Sequence, residues 1–181
     1  GFDIYVNLCE GYLEWDVPSV DVIHALEQLG LPYTGPTPQL YDPSKPLMKY
    51  VAHSAGITTP RHVVIAPGDD AVAAVTRAKL RYPLFVKPAK AGDSLGVDES
   101  ARIADAEALR AQVARIQPEY PDLLVEEFIE GREFTVLVIG DPEGHGRSTA
   151  LTPVEYRFPE GRSYKSYALK TSELHPDANV P

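Results

Sequence analysis

The stretch LFVKPAKAGDSLGV, residues 84–97, decides how this sequence is interpreted, because an apolar run ends there in a lysine and a glycine-containing loop. The first residues alternate as in a strand, and Pro88 has no N–H with which to continue a ladder. We therefore predict that the strand ends at Pro88. The Lys87 ammonium is then expected at a sheet edge or in a cleft.

The loop after this strand has the composition of a phosphate-binding flap. Gly92 and Gly96 permit positive φ and a close approach of the backbone, while the loop amides and the Ser94 hydroxyl could donate to phosphate oxygens. A surface hairpin loop with a solvated lysine accounts for the same residues. Taken alone, the loop favours that simpler interpretation.

A second segment, LLVEEFIEGREFTVLVIG at residues 123–140, predicts two strands joined by a turn, that is, a hairpin. Glu126 and Glu127 are adjacent, so on a strand they point to opposite faces, and one of them needs a buried partner. The Glu133 carboxylate could accept both hydroxyls of a ribose, and the backbone from Glu127 to Ile129 could read an adenine edge. A charged amphipathic hairpin without a ligand is the simpler explanation of this segment by itself.

The gross composition narrows the class of protein. The chain has 181 residues, 44% of them apolar and 24% charged, and a formal net charge of -9. That charge disfavours nucleic acid or an anionic membrane as a partner, because both favour a basic face. Cys9 is the only cysteine, which excludes an internal disulfide and a thiolate zinc cluster. No apolar run reaches the roughly 20 residues of a membrane span, so we predict a cytoplasmic protein.

The first part of the chain indicates an open α/β domain. Residues 2–8 alternate as a strand, and Ser19 and Gly30 delimit an amphipathic helix. A proline-rich stretch at 35–46 marks a domain boundary. We predict one domain at residues 1–38, a central one at 39–140 that contains the hairpin, and the start of a third at 141–181.

The central region begins with a helix whose start is clearly marked. Asp42 is expected to cap it, with Pro43 in its first turn and Gly56 at its end. Lys45 then faces the positive end of the helix dipole, which costs about 0.3 to 1 kcal/mol unless an anion lies nearby. Beyond it we predict a strand at 61–66, helices at 69–82 and 105–116, and a strand near 151–156.

Common nucleotide motifs are absent from the sequence. There is no G-x-x-x-x-G-K-[ST] phosphate loop, no G-x-G-x-x-G between a strand and a helix, and no kinase catalytic motif. GHGRS at residues 144–148 is interpreted as a hairpin turn between two strands. A nucleotide would have to be bound in another way.

Four segments in order resemble one family. They are NLCEG with LGLPYTGPTP, DPSKPLMKYVAHSAGITTP, YPLFVKPAKAGDSLGV and LLVEEFIEGREFTVLVIG. This set is similar to the D-alanine–D-alanine ligase branch of the ATP-grasp ligases, and the resemblance extends to about Lys170. It implies a mixed α+β and α/β protein with the ATP-grasp fold, two antiparallel sheet lobes around the nucleotide, preceded by part of an N-terminal open α/β domain. We expect a fragment of a longer protein.

The resemblance also implies roles for particular residues. Lys45 and Lys87 would contact the phosphates of ATP, and the flap at 90–96 would close over the γ-phosphate with Ser94 as a donor. Glu133 would hold the ribose, and Lys170 corresponds to a lysine on the loop that closes over the site. The residues expected around adenine are Glu126, Glu127, Phe128 and Ile129, the second and fourth through their backbone.

The implied reaction is the ADP-forming ligation of a carboxylate and an amine, such as an amino acid pair, through an acylphosphate. Lysines and magnesium would stabilise the developing negative charge. The resemblance places the magnesium ligands beyond Pro181, so no metal ligand is expected in this chain, and it allows a homodimer. As given, the chain should be catalytically incomplete.

Two positions depart from the family pattern. Asp93 stands where one of two flap serines is usual, and Thr171 stands where an aromatic residue usually follows the loop lysine. These departures question D-alanine as the substrate. Two alternatives remain open: an ATP-grasp ligase for a different acid and amine, and a non-catalytic nucleotide-binding or interaction domain derived from such a ligase.

Overall fold

The structure is a computed structural model that describes residues 2–9, 20–92, 94–140, 146, 148–158, 164 and 166. The helices are α1 (Val20–Gln28), α2 (Lys45–Ser54), α3 (Ala71–Arg77) and α4 (Ala106–Ile116). The strands are β1 (His62–Ile65), β2 (Leu84–Pro88), β3 (Arg102–Ile103), β4 (Leu123–Glu127), β5 (Glu133–Thr135), β6 (Val138–Ile139), β7 (Thr149–Ala150) and β8 (Val154–Tyr156).

The main sheet is antiparallel and has the strand order β1-β4-β2-β3. Helices α3 and α4 pack on one of its faces. Alternate strand residues, which point to that face, form the core with the apolar sides of the two helices. The fully buried members of this core include Ile65, Leu84, Val86, Leu109, Leu123 and Val125.

The two packed helices begin at aspartate caps. Asp70 Oδ1 accepts from the N–H groups of Val72 and Ala73, and Asp105 Oδ1 accepts from that of Ala108. Each cap satisfies amides that lack a partner within the helix and contributes about 1 kcal/mol. The helices predicted at 69–82 and 105–116 are therefore confirmed, although α3 ends earlier, at Arg77.

The start of α2 differs from the prediction. Ser44 is the N-cap and its Oγ accepts from Leu47 N–H at 3.4 Å, so Asp42 is not the cap, and Pro46 rather than Pro43 occupies the first turn. A serine adjacent to the first helical residue reaches the free amides more directly than an aspartate two residues earlier. Lys45 is the first residue of the helix, as expected, and no residue of α2 is buried.

The opposite face of the main sheet carries polar side chains. Because neighbouring strand residues alternate between faces, Phe85 and Lys87 of β2 point away from the helices, as do Leu124 and Glu126 of β4. Phe85 lies directly across from Glu126, and Lys87 lies across from Leu124. Lys87 and Glu126 are therefore diagonal neighbours, close enough for long side chains to meet.

The predicted hairpin at residues 123–140 is wrong. Strand β4 pairs with β1 and β2, whereas β5 pairs with β8, and β6 pairs with β7. The segment between them thus crosses from the main sheet to a second group of strands. A turn signal and two apolar runs fit a hairpin locally, but the pairing partners of both strands are distant in sequence.

The N-terminal region forms less sheet than expected. Tyr5 makes a single parallel bridge to Tyr33, supported by hydrogen bonds from Tyr5 N–H to Pro32 O and from Thr34 N–H to Tyr5 O. The remaining apolar residues of the predicted strand at 2–8 are exposed. Helix α1 lies between the bridged segments, as in an open α/β arrangement, with Ile23 buried. Its predicted cap, Ser19, lies outside the described residues.

Strand β2 is an inner strand, and its pairing continues one residue past Pro88. The strand itself ends at Pro88, as predicted. The expectation that the ladder stops there is wrong by one hydrogen bond, which Ala89 N–H donates to Asp122 O at 2.8 Å. The loop that follows bends sharply, since Ala91 and Ser94 have φ of 155° and 58°. Gly96 closes the loop at φ 69°, where an added Cβ would lie 2.7 Å from Pro88 Cγ and 3.1 Å from Tyr120 Cε2.

This close approach makes Gly96 a sharp test of the loop geometry. Gly96→Ala combines an unfavourable positive φ with overlap against Pro88, whereas Gly56→Ala, at φ 75°, meets no atom within 4 Å. We expect Gly96→Ala to lower the free energy of unfolding by about 1–3 kcal/mol more than Gly56→Ala. Urea denaturation of both variants measures the difference. Equal losses would contradict the packing of the loop on Pro88.

Candidate functional site

A cavity of about 580 Å³ opens on the polar side of the main sheet. The loop after β2 and the segment from β4 to β5 form much of its wall. All eight residues that the sequence predicts for cofactor binding line it, namely Lys45, Lys87, Ser94, Glu126, Glu127, Phe128, Ile129 and Glu133. Lys170, the other predicted site residue, lies outside the described residues, as do Asp93 and Thr171.

Glu126 is the centre of the polar wall. It is only 7% exposed, and both of its carboxylate oxygens meet lysine ammonium groups. Lys87 from the neighbouring strand contacts Oε1, and Lys49 from α2 lies 2.7 Å from Oε2. The sequence prediction that one of the two adjacent glutamates needs a buried partner is thus confirmed, with two partners in place of one.

The charge of Glu126 is set by these partners. Burial raises the pKa of its carboxyl, but the ammonium groups of Lys87 and Lys49 outweigh burial and hold the pKa below its ordinary value. The group is therefore a carboxylate at neutral pH. His62, which faces Glu126 across β1 and β4, has a lowered pKa because of burial and the nearby Lys49 charge, so this imidazole is neutral there.

Lys45 joins the start of α2 to the loop after β2. Its backbone N–H donates to Ala89 O at 2.9 Å, and its Nζ donates to Ala91 O. Burial and the positive charge of Lys87 lower the pKa of the Lys45 ammonium to about 8. The ammonium groups of Lys45 and Lys87 thus face the same cavity, where an anionic ligand beside Lys45 would offset the repulsion from Lys87.

Aromatic rings form the other side of the cavity. Phe85 and Phe128 stack with centroids 5.8 Å apart, and Tyr164 stands edge-on to Phe85 at 5.0 Å. The Tyr164 hydroxyl donates to Asp98 O at 2.8 Å. Such a cluster offers a flat apolar surface of the kind that stacks against a ring.

Several polar groups next to Phe128 are engaged in hydrogen bonds within the protein. The Glu127 side chain accepts from Arg81 N–H at 2.9 Å on the far side of the sheet. The N–H groups of Glu127 and Phe128 donate to the carbonyls of Arg61 and Pro83 at 3.0 and 2.9 Å. Because the Glu127 N–H and Oε1 are engaged in these bonds, its carbonyl is the backbone group of this residue that could serve a ligand in the cavity.

Glu133 stands at the first residue of β5, on the exposed rim of the cavity. Its neighbour Arg132 is held by a two-point ion pair with Glu155, at 2.7 and 2.9 Å, and lies over the Phe134 ring. This arrangement keeps the guanidinium of Arg132 engaged with β8. The Glu133 carboxylate has no comparable ion pair among the described residues.

Residues of this site that the sequence did not predict include Lys49, Phe85 and Tyr164. Lys49 follows Lys45 by one helical turn, and that spacing was the available signal. Phe85 was detectable from strand alternation, since it shares a face with Lys87. Tyr164 had no local signal, because it reaches the cavity from a segment distant in sequence.

The described residues contain neither a membrane-spanning helix nor a cluster of metal ligands. No helix among them has the length and apolar character to cross a membrane. No group of three or more His, Cys, Asp or Glu side chains in the same residues is arranged to hold a metal ion.

The chain is similar to several known proteins. A family model described as "D-ala D-ala ligase C-terminus" matches residues 51–177. The D-alanine–D-alanine ligase of Herminiimonas arsenicoxydans is 34% identical over 160 residues, covering 84% of this chain and 46% of that protein. The structure of the D-alanine–D-alanine ligase from Coxiella burnetii is similar with a TM-score of 0.65 at 25% identity, over 84% of this chain and 42% of that one.

A D-alanine–D-alanine ligase from Bacillus anthracis, solved in complex with ATP, shares the fold with a TM-score of 0.66 at 24% identity, over 87% of this chain and 49% of that one. This chain spans less than half the length of each of these proteins. The predicted ATP-grasp fold is confirmed by these neighbours. Because this family model matches most of the sequence, the chain belongs to the D-alanine–D-alanine ligase family, and the matched residues correspond to the C-terminal part of such ligases.

Proposed function

We propose that this chain binds ATP in the cavity and is part of an ADP-forming ligase that joins a carboxylate to an amine. The observation that carries the proposal is the meeting of Lys45, Lys87 and Glu126 in one cavity beside a stacked pair of aromatic rings. A polyphosphate needs cations, and a base needs a flat apolar surface with a polar edge. The cavity has both, and its volume of about 580 Å³ lies within the range of small-molecule sites.

The proposed orientation of ATP follows from the chemistry of the wall. The adenine ring lies against Phe128, with Glu126 and the backbone of Glu127 and Ile129 along its edge. The ribose lies toward Glu133, whose rim position suits two hydroxyl donors. The phosphates lie toward Lys45 and Lys87, under the loop that contains Ser94.

The proposed reaction has two steps. A substrate carboxylate attacks the γ-phosphorus of ATP, and the bond to the β,γ-bridging oxygen breaks to give an acylphosphate and ADP. The amine then attacks the acyl carbon, and phosphate leaves as the amide forms and the amine loses its proton. Negative charge develops in both steps, and Lys45 and Lys87 are placed to stabilise it. Ser94 would donate to the transferred phosphoryl group, and Lys170 would act from the closing loop.

An acylphosphate must be shielded from water. The loop after β2 is suited to this as a cover, since Ala91, Gly92, Ser94 and Leu95 line the cavity. The substrates we propose are small molecules, an amino acid or related carboxylate and an amine. Magnesium use is a prediction from the resemblance, which places the ligands of the ion beyond Pro181.

Lys87→Ala tests the phosphate site. We expect the variant to lose measurable ATP binding in calorimetry, because it removes a cation from the cavity wall. The fold should persist, since Lys49 still pairs with Glu126 and prevents an isolated buried charge. Lys79→Ala, which removes an exposed lysine that does not line the cavity, is the matched control. Unchanged ATP affinity in Lys87→Ala would refute the assignment.

The lowered pKa of Lys45 predicts a pH dependence of binding. Below pH 8 the ammonium is charged and binds phosphate, and bound phosphate raises its pKa. Affinity for ATP should therefore fall as pH rises above 8, by at most about tenfold per unit from this one group. Arg stays charged at these pH values, so Lys45→Arg should show a flatter profile from pH 8 to 9.5. Calorimetry across this range checks it, and equal slopes in both proteins would contradict the role of Lys45.

Ligase activity is tested by phosphate release from ATP with paired D- and L-amino acids. The measurement uses the complete product of the reading frame that encodes these residues. We expect release that requires both a carboxylate and an amine, and that is lost in Lys87→Ala. Release with a pair other than two D-alanines would identify a different substrate. ATP binding without release for any pair would overturn the ligase proposal in favour of a non-catalytic nucleotide-binding domain.

A further inference from the structure

Lys49 contacts Glu126 of the nucleotide site but does not itself line the cavity. Its Nζ lies 2.7 Å from Glu126 Oε2 and donates to Pro60 O at 3.1 Å. The side chain is only 11% exposed, yet Lys49 is not among the residues that line the cavity. Lys87, which contacts the other oxygen of Glu126, does line it. The Glu126 carboxylate is thus paired with one lysine that does not line the cavity and with a second lysine that does.

The presence of two lysine partners on Glu126 matters when an anionic ligand binds in the cavity. A carboxylate as buried as Glu126 must keep a cation, because an unpaired buried charge is strongly destabilising. If Lys87 were its only partner, a phosphate could attract Lys87 only by leaving the carboxylate unpaired. With Lys49 on Oε2, the carboxylate stays compensated while Lys87 turns toward the anion. Lys49, Glu126 and Lys87 together have a formal charge of +1, which attracts an anionic ligand.

Lys49 also fixes the helix that carries the second phosphate-site lysine. No residue of α2 is fully buried, and two lysines of this helix make polar contacts with the sheet and the neighbouring loops. Those contacts come from Lys45, through Ala89 O and Ala91 O, and from Lys49, through Pro60 O and Glu126. Lys45 and Lys49 are four residues apart and lie on one side of the helix. The Lys49 contact therefore helps to set where the Lys45 ammonium lies.

We propose that Lys49 is a positioning residue of the nucleotide site, the permanent counter-ion of Glu126 that frees Lys87 to bind polyphosphate. The proposal rests on the proposed ATP site and adds to it a residue that does not touch the ligand. It assigns to Lys49 an effect on the phosphate end of the site that is separate from any effect on adenine. A mere structural anchor would affect both ends together.

The experiment compares two probes, inorganic tripolyphosphate and adenosine, by calorimetry on the wild type, Lys49→Met and the charge-matched control Lys79→Met. We expect Lys49→Met to weaken tripolyphosphate binding by about tenfold or more, since Glu126 then retains Lys87. Adenosine affinity should change by less than about twofold. Lys79→Met, which removes an exposed positive charge, should leave both affinities near the wild-type values.

A double variant provides the decisive rescue. Lys49→Met/Glu126→Gln removes the carboxylate charge together with its counter-ion, so Lys87 is again free for the phosphates. Tripolyphosphate affinity should then return to within about threefold of the wild type, although Lys49 is still absent. Tripolyphosphate has no base, so any contact that Glu126 makes with adenine does not enter the comparison. Failure of the rescue would overturn the proposal.

The remaining outcomes separate this inference from the proposed function. If the wild type binds neither ATP nor tripolyphosphate, the nucleotide site itself is refuted. If it binds both and Lys49→Met binds tripolyphosphate equally well, or loses adenosine to the same extent, only the role of Lys49 is refuted. Should Lys49→Met fail to fold, Lys49→Gln, which can still donate to Pro60 O, is judged by the same comparison.

Discussion

The pairing of Glu126 with two lysines is the constraint on which the site depends. A carboxylate on an inner strand would be unstable in a sheet without cations, and breaking such a pair typically costs about 3–5 kcal/mol. Lys87 comes from the adjacent strand and Lys49 from α2, so one charge joins the sheet to a helix that has no buried residue. The same charge network forms the polar wall of the cavity.

Strand alternation separates stability from chemistry in the main sheet. Leu84 and Val86 of β2 and Leu123 and Val125 of β4 pack under α3 and α4, where they form the core. The residues between them face the cavity. A substitution such as Lys87→Ala can therefore alter the site while leaving the core contacts intact, because each strand presents the two sets of side chains to different faces.

Local rules predicted much of the fold. The strands at β1, β2 and β8, the helices α1 to α4 and many of the cavity-lining residues were accessible from periodicity, caps and the family resemblance, whereas Tyr164 was not. The errors lie where local patterns are ambiguous. The cap of α2 is Ser44 and not the predicted Asp42, and the segment at 2–8 forms one bridge in place of the predicted strand. Both outcomes depend on which backbone groups find a partner at a distance.

The sequence by itself determined the types of group in the site and their order along the chain: a lysine in the first turn of a helix, a lysine at a strand end, paired glutamates, and a permissive loop. Only the tertiary structure decided how they combine. It showed that β4 crosses to a second group of strands without forming a hairpin, and that Glu126 is shared between Lys87 and Lys49. It also brought Tyr164 to Phe85. The physical reason is that strand pairing and burial join residues far apart in sequence, and a buried charge takes its partner from whichever element lies nearest.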